Sequence, residues 1–316
     1  MSETINIGVC ACSLGEKVRN NGRHSLDTYL TETLAKYVKF IPACPEVACG
    51  MNIPRERLQQ VDCGGEIRLI AAQSGEDWTD RMIKCNHKLL DSLGEENIDG
   101  YILRREAVSC ALDKSKIQQT DGKQPRLAPG FFTRQMMERY PLLPLVDNLR
   151  LQNPIIRENF IRRVFVYKRW RALLDKGMQI GRLVDFHTRH KMLIRGHDLK
   201  GYRQLGKLLG ESSIFNTDEI FDTYGEMLFK SLSLTATPRK NADVLMHAMG
   251  YFKKDIDGSD KSDLLNMINA YKSGKTPLLV PMTIINHYAR KLGKAYLQQQ
   301  YFLNPNPAEL KMLYHT

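Results

Sequence analysis

The hydrophobic pattern of this chain changes period once, near Pro154, and the change divides the sequence into two kinds of structure. Before it, Ile5 to Val9, Val38 to Ile41, Ile67 to Ala71 and Gly100 to Leu103 are short apolar runs with the length and β-branched content of buried strands. Between them, Leu26 to Tyr37, Trp78 to Leu93 and Phe131 to Tyr140 place apolar residues three and four apart, as the buried stripe of a helix requires. The alternation predicts an α/β fold on an open, Rossmann-like, mostly parallel sheet with crossover helices, although no GxGxxG is present. After Pro154 the period stays helical over 155–177, 179–209, 216–232, 240–253, 260–273 and 279–302, with Gly177, Pro238, Gly258, Gly274 and Pro277 as breaks. An all-α domain is the expectation there. A chain of 316 residues is long enough for two cores, and the turn-rich VDNLRLQNP marks a seam between domains of 1–150 and 151–316.

The same seam separates the chemistry. All seven cysteines (Cys10, Cys12, Cys44, Cys49, Cys63, Cys85 and Cys110) precede Arg150. From Leu151 onward 26 Lys and Arg stand against 15 Asp and Glu, so the second part carries the whole net charge of +11 and the first part is neutral. A solvated surface accounts for a mild basic excess spread over a protein. Confinement of the excess to one cysteine-free domain fits a phosphate-backbone partner, because Lys and Arg neutralise phosphates and release counterions.

The N-terminus, MSETINIGVCACSLG, has no basic leader, and no apolar run approaches the length of a bilayer span, so a cytoplasmic protein with no membrane partner is expected. In that reducing compartment the thiols are expected to bind metal, react or simply be buried.

Ligands of a parallel sheet collect where its strands end, and three cysteines stand at such ends. Cys12 follows the first strand, Cys44 the second, and Cys110 the Gly100 to Leu103 run. Brought together above the sheet, three thiolates suit an iron–sulfur cluster whose remaining metal position is open to a substrate. The competing reading is plain burial, the commonest fate of a free cysteine, and Cys63 and Cys85 are assigned to it. Cys10 shares a face with Cys12 by strand alternation, and Cys49 lies five residues beyond Cys44; either is a candidate fourth ligand that would close the cluster.

At these residues the sequence resembles the thiouracil desulfidase family, whose first domain carries loops of the CLLGxxVRYDG, CPE and SPSCG types. Here they read CSLGEKVRNNG, CPEVACG and AVSCA. The second half resembles the helical domain fused to that module in tRNA 4-thiouridine desulfidases, over IRENFIRRVFVYKRW, FHTRHKMLIRGH, HAMGYFKK and PLLVPMTIINHYARK. The resemblance implies a [4Fe–4S] cluster held by Cys12, Cys44 and Cys110, with one iron free for a thiocarbonyl sulfur. It also implies hydrolytic, non-redox exchange of C=S for C=O with release of hydrosulfide. Glu46 in the CPE loop is then the candidate general acid or base, against the alternative of a surface carboxylate at a helix start. Ser109 is the candidate support for a ligand or the substrate. The sequence departs from the family loops at Asn20, Asn21, Ala107, Val108 and Ala111, which touches the substrate side of the site and leaves the ligands intact.

In the basic domain, Arg157, Arg162, Arg163, Lys168, Arg169 and Arg171 crowd one helical segment with Phe160, Val164, Phe165 and Trp170. The aromatics are read as its core face, and Arg162, Arg163 and Arg169 as phosphate contacts, since guanidinium groups grip phosphate with two prongs. Arg189, Lys191 and Arg195 of FHTRHKMLIRGH are further RNA-contact candidates, while its histidines match no HExxH metal pattern and read as structural. The expected partners are tRNA and a thiolated uracil base or nucleotide, with no obligate protein partner. The alternative is a non-catalytic RNA-binding protein with a structural metal cluster. A sulfur-inserting enzyme would need an ATP site, and no P-loop is present.

Overall fold

The computed structural model describes residues 4–119 and 123–314. Its strands are β1 (Ile5–Cys10), β2 (Val38–Ala43), β3 (Leu58–Cys63), β4 (Glu66–Ala71), β5 (Gly100–Leu103), β6 (Ser115–Gln119), β7 (Arg126–Ala128) and β8 (Leu145–Asp147). Helices α1 (Pro45–Ala48), α2 (Thr79–Glu95) and α3 (Phe131–Arg139) are interspersed among them. β1 is buried except at Asn6, and β5 is buried throughout, which is why both read as unbroken apolar runs. They lie at the centre of a parallel sheet of order β2-β1-β5-β8, with Cys10 opposite Ala43 and Gly8 opposite Tyr101. Gly8 is required there: a Cβ would stand 2.2 Å from the Tyr101 ring that packs over it.

The remaining strands form a second, mixed sheet of order β4-β3-β6-β7. This corrects the expectation for Ile67 to Ala71, which belongs to β4 and pairs antiparallel with β3 rather than joining the parallel sheet. The physical cause is local. Gly64 and Gly65, with φ of +74° and +96°, close a two-residue hairpin between them, and the Gly65 amide donates to Asp62 Oδ1 at 2.7 Å. The helix expected over Leu26 to Tyr37 is also corrected: it is a π-turn at Tyr29–Thr33 followed by a 3-10 turn at Leu34–Lys36.

From Pro154 the chain is helical: α4 (Pro154–Asp175), α5 (Ile180–His197), α6 (Leu199–Gly210), α7 (Thr217–Ser233), α8 (Pro238–Met249), α9 (Gly258–Lys272), α10 (Leu279–Lys291), α11 (Ala295–Gln298) and α12 (Pro307–Tyr314). Two long helices of the sequence reading are broken. Asp198 leaves helical geometry and caps α6, its side chain accepting from the Lys200 amide at 3.0 Å, so 179–209 is two helices. Gly293, with φ of +63°, separates α10 from α11. Pro238 and Gly258 start helices rather than end them, each preceded by a residue, Thr237 or Asp257, whose side chain accepts from the first turn.

The chain divides into two compact units, Met1–Tyr167 with Lys311–Thr316, and Lys168–Leu310, so the division falls inside α4. The second unit is centred on Trp170, whose ring meets Phe186, Phe221, Tyr224 and Phe229 with centroids 5.6 to 6.5 Å apart. Among the described residues no helix is long and apolar enough to cross a membrane.

Candidate thiol site

Three neighbouring strands of the parallel sheet deliver the three cysteines. β1 runs into a 3-10 turn, Ala11–Leu14, that carries Cys12 and ends on Gly15 at φ +97°. Cys44 follows β2 directly as the N-cap of α1, with Pro45 at the first helical position. β5 leads through Arg104 and Arg105 into the loop that holds Cys110. Because β2, β1 and β5 are adjacent and parallel, their carboxyl ends open on one side. Cys12, Cys44 and Cys110 all line one cavity of about 440 Å³, within the usual range of ~300–1,000 Å³ for small-molecule sites.

The Cys110 loop is docked on the start of α3. Gly130, Phe131 and Phe132 donate amide hydrogens to the carbonyls of Ala111, Val108 and Ser109 at 2.8 to 3.0 Å. Gly130 makes that approach possible, since a Cβ there would fall 2.4 Å from the Ser109 carbonyl oxygen and 2.7 Å from the Ala111 nitrogen.

Glu46, the second residue of α1, lines the same cavity. Its Oε1 accepts from the Ser109 hydroxyl at 2.9 Å, and its Oε2 accepts from Arg55 Nε at 2.8 Å and Nη2 at 2.5 Å. Glu46 thus stands in the first turn of α1 and is paired with Ser109 and Arg55 rather than left free at the surface. Arg55 also donates to the Val18 carbonyl at 2.8 Å and the Asn52 carbonyl at 3.3 Å, tying the Cys12 and Cys44 loops together. Arg55 escaped the sequence reading because nothing in IPRER distinguishes a buried arginine from a solvated one.

Burial is the main cause that raises the Cys12 and Cys44 thiols, Cys44 to about 11. Cys110 is raised well above the ordinary thiol value by its contact with Cys10, then by burial. On Cys12 the effect is opposed by Arg104, whose Nη1 lies 3.9 Å from the sulfur. Buried thiols of this kind stay protonated at neutral pH unless a cation takes them as thiolates, as a metal centre does. Among the described residues no three Cys, His, Asp or Glu side chains converge on a single-ion site. Three thiols lining one cavity are the donor chemistry of an iron–sulfur cluster, which takes each thiolate at a different iron. The donor set thus fits an iron–sulfur cluster.

The two candidate fourth ligands part company. Cys10 is 2 % exposed and lines the same cavity, whereas Cys49 is packed with Met51, Leu69, Met82 and Cys85 in a separate apolar cluster. Burial and the neighbouring Cys85 push the Cys49 thiol up to about 12. Cys63, at the hairpin end of β3, is exposed, which corrects its assignment to plain burial, and Cys85 is half-buried. Asn20, Asn21, Ala107 and Val108 border the cavity, while Ala111 is buried behind it. Arg19, Arg57 and Arg104 add positive charge to its wall, and burial followed by the charge of Arg104 lowers Arg19.

Of the RNA-contact candidates, Arg162 is corrected, and Arg163 and Arg169 are partly drawn into the fold. Arg162 is 2 % exposed and bound to Glu158 at 2.9 Å, four residues back on the same helix. Arg163 is half-buried, and burial pushes its guanidinium down to about 10. Arg169 pairs with the buried Glu309 and lies 3.8 Å above the Tyr301 ring. The stretch of α4 around Arg162, from Asn159 to Val166, is buried at every residue but Arg163, which leaves Arg162 little solvent face. Arg189 is exposed and paired with Asp185 at 2.9 Å, and Lys191 and Arg195 are half-buried. The histidines of α5 are structural: His187 Nδ1 meets Tyr224 Oη at 2.9 Å, His190 Nδ1 meets the Phe186 carbonyl at 2.6 Å, and His197 Nδ1 meets the Leu234 carbonyl at 2.7 Å.

Comparison with known proteins divides the chain in a similar way. The family model described as 2-thiouracil desulfurase matches residues 7–148, and one described as a protein of unknown function (DUF1722) matches residues 191–307. Among solved structures, the [4Fe-4S]-dependent thiouracil desulfidase TudS is 23 % identical, covers 47 % of this chain and 94 % of its own, and gives a TM-score of 0.38. The uncharacterized protein YbgA of Escherichia coli K12 is 34 % identical over 142 residues, which is 44 % of this chain and 84 % of YbgA. The chain belongs to the family of YbgA, and its residues 7–148 match the family model described as 2-thiouracil desulfurase.

Proposed function

We propose that this protein is an iron–sulfur-dependent desulfidase that replaces the sulfur of a thiolated uracil by oxygen, with 4-thiouridine in tRNA, or a related thiouracil nucleotide, as substrate. The observation that carries the reading is the meeting of three cysteine loops and a fixed carboxylate, Glu46, on one cavity at the strand ends. In this reading Cys12, Cys44 and Cys110 hold a [4Fe–4S] cluster. Such a cluster supplies a Lewis-acidic iron for the thiocarbonyl sulfur.

The protein's own part is proton handling and orientation. Glu46 accepts hydrogen bonds at both oxygens, which fixes its side chain at the cavity in the position of a general base toward water. Ser109 bridges Glu46 and the Cys110 loop, so its hydroxyl can pass that proton onward toward the departing sulfur. The overall exchange balances without electrons: water adds across the C=S carbon, its oxygen stays as the carbonyl, and hydrosulfide with a proton leaves. The basic helical part holds the RNA in this account, and a cytoplasmic location follows from the thiol chemistry.

The test is anaerobic reconstitution of the full chain followed by incubation with thiolated tRNA. Loss of the thiouridine near-ultraviolet absorbance with matching sulfide release is expected, and Glu46→Gln should slow it by ~10²–10⁴-fold. Reaction with a free thiouracil nucleotide alone retains the enzyme class and removes the RNA assignment; no reaction with either removes the proposal. The placement of Cys10 on the cavity favours one second reading, a closed structural cluster in an RNA-binding protein. Loss of the cluster on Cys10→Ser would support it.

A further inference from the structure

The helical unit also presents positive charge away from α4. One surface combines it with aromatic rings. Tyr251, in the turn after α8, exposes 41 % of its surface and stacks on Tyr296 of α11, with centroids 5.0 Å apart and planes 27° from parallel. His247 of α8 braces the edge of the Tyr251 ring, 5.5 Å away at 83°. Arg195, near the end of α5, is close enough that its charge, after burial, depresses the His247 imidazole and opposes the rise of the Tyr296 phenol. Lys253 and Lys254 follow Tyr251 and are exposed. Arg195 comes from FHTRHKMLIRGH, and His247, Tyr251 and the lysines from HAMGYFKK, two motifs distant in sequence that meet here.

We infer that Tyr251, backed by Tyr296 and flanked by Arg195, is a stacking platform for an unpaired nucleobase of single-stranded RNA, with Arg195 and the two lysines meeting the adjoining phosphates. The rings are fixed by each other, so a flat partner can stack with little further ordering of the platform. The neighbouring cations disfavour a positively charged occupant and favour a planar group joined to an anion, which is the chemistry of a nucleotide. The surface lies wholly within the helical unit and rests on the RNA half of the proposed function, not on the cluster chemistry.

Binding of fluorescein-labelled decauridylate to the full chain, followed by anisotropy beside an RNA duplex of equal length, tests this without cluster or turnover. Tyr251→Ala should weaken decauridylate binding by ~5- to 150-fold, the range of one lost base stack, and leave duplex binding unchanged. Tyr251→Phe should retain wild-type affinity. Arg195→Gln should lower the slope of log affinity against log salt by ~0.7, one phosphate contact on a single strand. Should Tyr251→Ala fail to fold, photocrosslinking of 5-bromouridine-substituted decauridylate to the unaltered protein should label Tyr251. Wild-type affinity in Tyr251→Ala, equal losses on single strand and duplex, crosslinks elsewhere, or displacement of the RNA by oligoglutamate bound with the same dependence on Tyr251 would each overturn the inference. Decauridylate binding that depends on Tyr251 without desulfidation of thiolated tRNA keeps this surface and removes the proposed reaction.

Discussion

Replacing Arg55 with Met tests how the cavity holds its carboxylate. Arg55 is 5 % and Glu46 20 % exposed as side chains, so the pair is largely shielded from water. Methionine keeps most of the volume and removes the two donors on Glu46 Oε2 together with those on the Val18 and Asn52 carbonyls. Removing one partner of a buried, hydrogen-bonded pair strands the other charge, and the expected loss is ~3–5 kcal/mol of folding stability. Neutralising that charge as well relieves it. Glu46→Gln added to Arg55→Met should therefore restore about 2 kcal/mol or more relative to Arg55→Met, a coupling of the size contacting pairs show. The assay is urea denaturation of the metal-free, reduced protein, with the slope checked for constancy across variants. An Arg55→Met variant within ~1 kcal/mol of wild type, or single losses that simply add in the double variant, would refute the arrangement described for this pair.

The raised cysteine thiols give the metal-free protein a pH dependence. Folded Cys44 keeps its proton up to about 11, so stability present below about 9 is lost as pH rises between the two values. About 2–3 kcal/mol is expected from Cys44 alone, and Cys12 and Cys110 act in the same direction. A urea midpoint that stays level or climbs over that window contradicts the burial of these thiols. Gly130→Ala should displace the Cys110 loop, because the added methyl meets backbone atoms at 2.4 to 2.7 Å, and cost ~1–3 kcal/mol with loss of bound iron. A variant with wild-type stability and iron content counts against that docking. Arg162→Ala should lower thermal stability and leave the salt dependence of RNA binding unchanged, since the guanidinium is bound to Glu158 inside the fold; a shallower salt slope would return it to the RNA surface.

The parallel core was legible because β1 and β5 are buried almost throughout and so wrote themselves as apolar runs. That periodicity also placed the cysteine loops, since adjacent parallel strands end on the same side. The second sheet was not seen, although Gly64-Gly65 between two strand-length segments is a hairpin signal. β3 hides because its polar Gln60 is fully buried, held by Ser115 Oγ at 2.7 Å and by Arg134, and polar residues at core positions erase the period. α4 misled for a related reason. An arginine satisfied by a glutamate one turn away looks in sequence like a solvated one, and only packing on the far side of the helix decides which it is. Glu46 and Ser109 were legible as residues but not as a pair, because Arg55, which fixes the carboxylate, lies outside every motif that singled them out.

The proposed reaction requires a cluster held by three loops. Iron and acid-labile sulfide are to be quantified on the anaerobically reconstituted full chain and on its Cys12→Ser, Cys44→Ser, Cys110→Ser, Cys10→Ser and Cys49→Ser variants. A full [4Fe–4S] complement in the unaltered protein, lost in each of the first three variants and kept in the last two, is the expected result. An unaltered protein that takes up no iron, or a cluster that survives removal of Cys12, Cys44 or Cys110, contradicts it.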